Sequence, residues 1–335
     1  MERLVARRTG NATMRTAVAV VGSLAAFALL LQVAEPQRFA WVQTFFIIFG
    51  SLLVQALPFV LIGAFASALI EVFVPIGALE RLADLPRPLQ LPAAALAGVA
   101  MPICECGSVP VARRLATKGL LPSAAVTFML AAPVVNPVVI ASTFVAYRGR
   151  EAMWTMVAGR FLLGMLVAVV VGWTVGAVSK DGLLKPNPEE DRVHLVELGR
   201  PEPRWRRFFL HMGNDFLFMG RYLVLGATFA ALVQTFLPAS WIAEVAALPV
   251  ISIVALMLLA SLLSLCSESD AFIAASFVQF GPSPQLAFLV FGPMVDLKLG
   301  ALYAGTFRRG FLRTVVVAAF ATTLVATLWL QVVTG

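Results

Sequence analysis

The three cysteines of this chain occupy two places, Pro102-Ile103-Cys104-Glu105-Cys106-Gly107 and Leu265-Cys266-Ser267-Glu268-Ser269-Asp270. In the first, two thiols flank a carboxylate. In the second, one thiol is followed by two carboxylates. Thiolates are soft ligands, and this set suits a soft cation or a thiophilic metalloid better than a hard ion such as magnesium. Cys104 and Cys106 are too close in sequence to meet the Cα separation and torsion of an easy disulfide. They act, if they act, as free thiols or metal ligands. A lone free cysteine is usually just a small buried hydrophobe. Three cysteines at two corresponding places beside carboxylates read as a site. Cys104, Cys106 and Cys266 are therefore candidates to hold substrate or a metal, and Glu105, Glu268 and Asp270 to hold substrate.

The two places look like copies. An offset of 160 carries Cys106 onto Cys266, Pro122-Ser123 onto Pro282-Ser283, Phe128 onto Phe288, Pro133 onto Pro293, Asn136 onto Asp296 and Arg148 onto Arg308. Asn136 and Asp296 thus hold one position in two repeats, and both join the candidate substrate-binding set. A carboxylate inside an apolar stretch is costly and is a site hypothesis by default. Asp296 is followed by Lys298, with which a break in the helix would let it pair. The bland reading of Asn136-Pro137 is a turn.

The elements that carry these residues are membrane helices. Hydrophobic residues make up 60% of the chain and charged residues 13%, where a soluble domain carries about 25% charged residues. Apolar runs recur at 17–31, 45–73, 154–178, 222–236, 251–265 and 315–333, several near the roughly 20 residues that cross a bilayer core. They do not alternate apolar with polar, which excludes a barrel. The fold class expected is an all-α polytopic membrane protein of two structural repeats with broken or re-entrant helices and roughly 8–10 transmembrane segments. The net charge of +7 fits basic residues flanking apolar spans rather than a nucleic-acid surface. Arg3, Arg7, Arg8 and Arg15 precede a first span at about 16–33, which places the N-terminus in the cytoplasm.

Four parts follow: a basic segment with an extra span at 1–40, repeat one at 41–178, a polar linker at 179–207 and repeat two at 208–335. Within each repeat the chain should break in the membrane at Pro102 to Pro110 or near Glu268 to Asp270, and again at Pro133–Pro137 or Pro293–Leu297. Proline removes a helix hydrogen bond and clashes with the preceding turn. Unpaired backbone at that depth survives only inside protein or beside water, so the breaks should face one another. Equivalent loops are both basic (Arg148, Arg150; Arg308, Arg309, Arg313), which favours parallel repeats. Arg160 is expected to be buried, with Glu71 as its partner. Arg113, Arg114 and Lys118 read as a surface collar, and His194 as solvated.

The string Pro102-Ile103-Cys104-Glu105-Cys106-Gly107-Ser108-Val109-Pro110, then Lys118-Gly119, then Ala132-Pro133-Val134-Val135-Asn136-Pro137, resembles the ArsP-like predicted permeases of bacteria. Cys266-Ser267-Glu268-Ser269-Asp270-Ala271 and Gly292-Pro293-Met294-Val295-Asp296 are similar to that family too. The resemblance covers the chain from about residue 40 onward. It implies a multi-pass permease of the bacterial plasma membrane, with members linked to trivalent organoarsenicals and others to copper or zinc efflux. The residue between the cysteines, small in most of that family, is Glu105 here, a charge compatible with a metal cation.

There is no P-loop, dinucleotide fingerprint, HExxH or C-x-x-C motif. The chain reads as a secondary efflux transporter of a thiophilic solute, not an enzyme, with no cofactor and no nucleic-acid partner. The partners implied are the lipid bilayer, a small thiophilic solute or metal ion, and protons as a candidate coupling ion. The alternatives are a membrane thiol oxidoreductase and a channel-like protein whose cysteines only pack.

Overall fold

Helix length and helix breakage decide this architecture. The structure, a computed structural model, describes residues 40–75, 86–101, 103–178, 183–186, 203–236, 249–308 and 310–334. The expected first span at 16–33, Pro102, His194 and most of the linker lie outside the described residues. The chain divides into two compact units, Met1–Ile48 and Phe49–Gly335, and the site belongs to the second.

A succession of six helices occurs twice. The first six are α1 (Ala40–Phe73), α2 (Arg87–Ala100), α3 (Glu105–Thr117), α4 (Pro122–Val135), α5 (Pro137–Ala146) and α6 (Met153–Val178). The second six are α7 (Arg204–Phe236), α8 (Pro249–Leu263), α9 (Asp270–Ser276), α10 (Pro282–Phe291), α11 (Leu297–Thr306) and α12 (Phe311–Thr334). Among the described residues there is no strand, only one isolated bridge between Leu184 and Phe307. The protein is an all-α polytopic membrane protein. Five stretches are long and apolar enough to cross a bilayer: Ala40–Phe73, Pro122–Ala146, Met153–Ala177, Arg204–Phe236 and Phe311–Val333. Much of the remaining apolar sequence lies in shorter helices such as Leu89–Ala100 and Val250–Leu263, so apolar runs and full spans do not correspond one to one.

The breaks are shorter than the proline positions suggest. Pro110 lies inside α3 and Pro133 inside α4, so the first break is confined to the segment before Glu105 and the second to Asn136. In the second half the breaks fall at Ser264–Ser269 and Gly292–Asp296. Proline at the first helical position costs nothing, because its missing N–H has no intrahelical partner there. This is why Pro137 starts α5 cleanly, with Asn136 Oδ1 accepting from Val139 N at 2.9 Å. Asp296 Oδ1 does the same for α11, accepting from Leu299 N at 2.7 Å.

Equivalent elements run in opposite directions. Lys118, at the end of α3, donates to the carbonyls of Glu71 and Val74 at the end of α1, and α4 starts just beyond it. The end of α11 is on that same side: Arg113 donates to Lys185 O, and Lys185 N donates to Thr306 O. On the other side Tyr147, after α5, donates to Gln285 near the start of α10 at 2.7 Å, and Arg150 reaches Ala275 O at the end of α9. So α4–α5 crosses from the first side to the second, and α10–α11 crosses back. This corrects the parallel arrangement expected from the basic loops. Arg148 and Arg150 lie at one end and Arg308 at the other, so the positive-inside tendency is met by one loop and breached by the other.

The α4–α5 stretch is the most enclosed of the long apolar elements, 78% buried, against 22% for α12. On α1, Val54, Leu61, Phe65 and Leu69 are exposed, as apolar side chains facing lipid would be. Lipid tails are as apolar as leucine, so helices in a bilayer associate through close van der Waals contact at small residues. Two glycines permit that contact here. A Cβ on Gly63 would sit 2.5 Å from Gly107 Cα, and one on Gly226 would sit 2.6 Å from Lys298 Cα. Gly63→Val should therefore push α1 off α3 by backbone collision. A large drop in melting temperature in detergent is expected, with Gly50→Val, which meets nothing within 4 Å, as the tolerated control.

Candidate functional site

Four helix breaks converge at one place. In the first half Asn136 Nδ2 donates to Ile103 O at 3.4 Å, which joins the break at α5 to the break before α3. In the second half Leu297 N donates to Ser264 Oγ at 3.3 Å and Lys298 Nζ to Ser264 O at 3.0 Å, which joins the break at α11 to the one after α8. Ser264 has φ 47°, a left-handed conformation that non-glycine residues adopt at a cost and that concentrates at functional sites.

The halves then meet through charge. Lys298 Nζ is 2.8 Å from Glu105 Oε1 and 3.7 Å from Asp296 Oδ2. Ser267 Oγ donates to Glu105 Oε2 at 3.2 Å. Glu105 and Lys298 are each only 1% exposed. The two cysteine motifs are thus in direct contact, as the duplication suggests. Asp296 and Lys298 do pair across the start of α11, but the closer partner of the lysine belongs to the other half. This ion pair also changes the meaning of Glu105: its charge is already balanced by a lysine, so it does not by itself call for a metal cation.

The thiols border this cluster. Cys104, the N-cap residue of α3, and Cys106 in its first turn are fully buried and free. Cys266 is also buried and free, and it lies within electrostatic range of Cys106, Glu105, Glu268 and Lys298. Among the described residues no group of three or more His, Cys, Asp or Glu side chains is placed to hold a metal ion. Cys104, Cys106 and Cys266 therefore do not form a ready three-thiol metal cage in this conformation. Cys104 and Cys106 do present two adjacent thiols.

Asp270 has a different partner from the one a substrate role would leave it. Arg160, 0% exposed, grips it with two bonds of 2.8 and 2.7 Å and also reaches Ser267 O and Thr143 Oγ1. The expected Arg160–Glu71 pair is not formed. Glu71 pairs instead with Arg114 at 3.3 Å and Lys118 at 3.7 Å. Arg114 also binds Asp215 at 3.2 Å, and Ser67 donates to Asp215 at 2.6 Å. Arg113 and Arg114 are buried, which corrects the surface-collar reading. The signal for this was present: Glu71 and Asp215 sit inside long apolar helices and need cations of their own. Glu268 is half-buried, and its Oε2 is enclosed without a hydrogen-bond partner. Ser267, Ser264 and Thr143 were not picked out, because a serine or threonine in a membrane helix carries no distinctive pattern.

Comparison with known proteins fits this picture. A family model described as "Predicted permease" matches residues 42–332. The YcgR protein of Bacillus subtilis is 39% identical over 266 residues, covering 79% of this chain and 89% of its own length. A Streptococcus mutans protein named as a two-component membrane permease complex subunit is 32% identical over 266 residues, covering 79% of this chain and 87% of its own. No solved structure matches. A membrane protein of broken helices whose matched region takes in both cysteine motifs and the Asn136 and Asp296 caps belongs to the predicted-permease family.

Proposed function

We propose that this permease is a secondary transporter that exports a thiophilic solute, a trivalent organoarsenical before a soft metal such as copper or zinc. The observation that carries the reading is the pair of adjacent buried thiols, Cys104 and Cys106, at the convergence of four helix breaks. Helix breaks at membrane depth bring free backbone groups and helix ends to a substrate. Trivalent arsenic with two exchangeable oxygen ligands can bond both sulfurs. Each As–S bond replaces an As–O bond, and the two thiol protons leave with the oxygen as water. Cys266, Glu268, Asp270, Asn136 and Asp296 complete the proposed site, Asp270 and Asn136 as positioning groups. The basic residues Lys118, Lys185, Arg204, Arg206, Arg207 and Arg308 gather at the side where α3 ends and α7 begins, which supports reading that side as cytoplasmic.

The test uses purified full chain in proteoliposomes, with phenylarsine oxide, Cu(I) and Zn(II) as separate probes. Wild type should move phenylarsine oxide, and Cys104→Ser and Cys106→Ser should each reduce that flux at least about tenfold, because a hydroxyl is a harder ligand than a thiolate. Undiminished flux in the double variant would refute the thiol site. Flux of zinc but not of the arsenical would favour the metal reading. The Streptococcus relative's name points to a second component, and activity of the chain alone in the vesicles would show that this permease works without one.

A further inference from the structure

We propose that Glu105, Asp296 and Lys298 form a site for one exchangeable proton, in which the Lys298 ammonium moves between the two carboxylates. The inference rests on the transport reading and identifies its coupling step.

Charge counting at the crossing point comes first. Asp270 and Arg160 neutralise each other through two bonds. Glu105 and Asp296 share Lys298, and all three are at least nine-tenths buried. With both acids ionised, the trio carries one uncompensated negative charge. An uncompensated charge away from water is strongly disfavoured, so the trio holds one proton together with the lysine.

Distance from the lysine separates the two acids, 2.8 Å for Glu105 against 3.7 Å for Asp296. Glu105 has Lys298 in ion-pair contact 2.8 Å from Oε1 and the Ser267 hydroxyl donating to Oε2 at 3.2 Å. Asp296 has Oδ1 engaged by Leu299 N, while the enclosed Oδ2 has no hydrogen-bond partner. The proton is on Asp296 Oδ2. Lys298 Nζ stands 3.7 Å from that oxygen, and a shift of about 1 Å brings it to the distance of a charge-assisted hydrogen bond. When it arrives, the Asp296 O–H bond breaks and the proton passes to water. Glu105, left without its cation, takes a proton from water and forms an O–H bond. One proton is released and one is taken up, and no electrons move.

Position turns this exchange into coupling. Glu105 begins α3 in the first half, whereas Asp296 and Lys298 belong to α11 in the second. A lysine on Glu105 ties the halves together; a lysine on Asp296 releases them. The strained Ser264 carbonyl holds the ammonium at 3.0 Å in the meantime. Other ionisable groups border the trio. Cys104, Cys106 and Cys266 are buried free thiols, Tyr303 donates to Met294 O, and Glu268, within electrostatic range of Glu105 and Lys298, is only half-buried. The long helices α1 and α7 approach α3 and α11 here at Gly63 and Gly226.

Infrared spectra of the purified full chain across pH provide a readout independent of any substrate. Wild type should show the C=O stretch of a protonated carboxyl at neutral pH, where a free carboxyl is ionised. That band should vanish in Asp296→Asn and in Glu105→Gln, where Lys298 settles on the remaining acid, and should grow in Lys298→Met. In vesicles with phenylarsine oxide, an imposed proton gradient should drive accumulation above the equilibrated control in wild type and should not do so in Glu105→Gln. Absence of the band in wild type, or its survival in both carboxylate variants, overturns the proton site even if transport is found. The wild-type titration decides the matter if a variant fails to fold. A band that behaves as described in a protein that moves no arsenical would leave the proton site standing and sink the substrate reading.

Discussion

Asp296→Asn should abolish transport in a protein that still folds and inserts. The substitution removes an ionisable carboxyl and almost nothing else. Asparagine and aspartate are equally good N-cap residues, and the chain already contains the neutral version: Asn136 caps α5 with the geometry that Asp296 uses to cap α11. What is lost is the second acid available to Lys298. The lysine, 2.8 Å from Glu105, then has one partner and stays there, locking the halves. The checks are phenylarsine oxide flux in proteoliposomes, expected at background, and melting temperature with membrane yield, expected near wild type. Full flux in this variant would move the coupling role to Glu105 or Glu268.

Arg160→Met should be among the most destabilising single changes in the protein. Arg160 is completely enclosed between α6, the Ser267 backbone, Thr143 and Asp270. Taking one partner from a buried ion pair leaves the other uncompensated, at a cost of about 3–5 kcal/mol. Replacing both partners with apolar residues is far cheaper, since neither charge is then stranded. Arg160→Met with Asp270→Leu should therefore recover most of the stability lost by Arg160→Met alone, as read by thermal unfolding in detergent. Equal melting temperatures for wild type and Arg160→Met would mean that the pair has no structural weight. Because Asp270 opens α9 just beyond Cys266-Ser267-Glu268, the double variant also tests whether Arg160 matters for flux beyond holding that segment.

Composition and pattern were enough for the class of molecule. Long non-alternating apolar runs admit only helices in a bilayer, since every backbone group must find its partner within the segment. The offset that relates Cys106 to Cys266 and Asn136 to Asp296 pointed to the two positions that cap α5 and α11, and to a contact between the cysteine motifs. Local chemistry was legible because it is local: prolines and capping side chains act within one turn. The tertiary structure decided everything that depends on direction and on partner. Basic loops suggested parallel halves, but the bonds from Tyr147 to Gln285 and from Arg113 to Lys185 show α4–α5 and α10–α11 crossing in opposite senses. Arg160 was recognisably buried, yet its acid proved to be Asp270 rather than Glu71, 110 residues away in sequence. Glu105 looked like an unbalanced charge between two thiols until Lys298 was found 2.8 Å from it. A sequence states which charges must be compensated, because burial in an apolar run makes an unpaired charge untenable. It does not state by which partner, because that depends on how helices far apart in the chain cross.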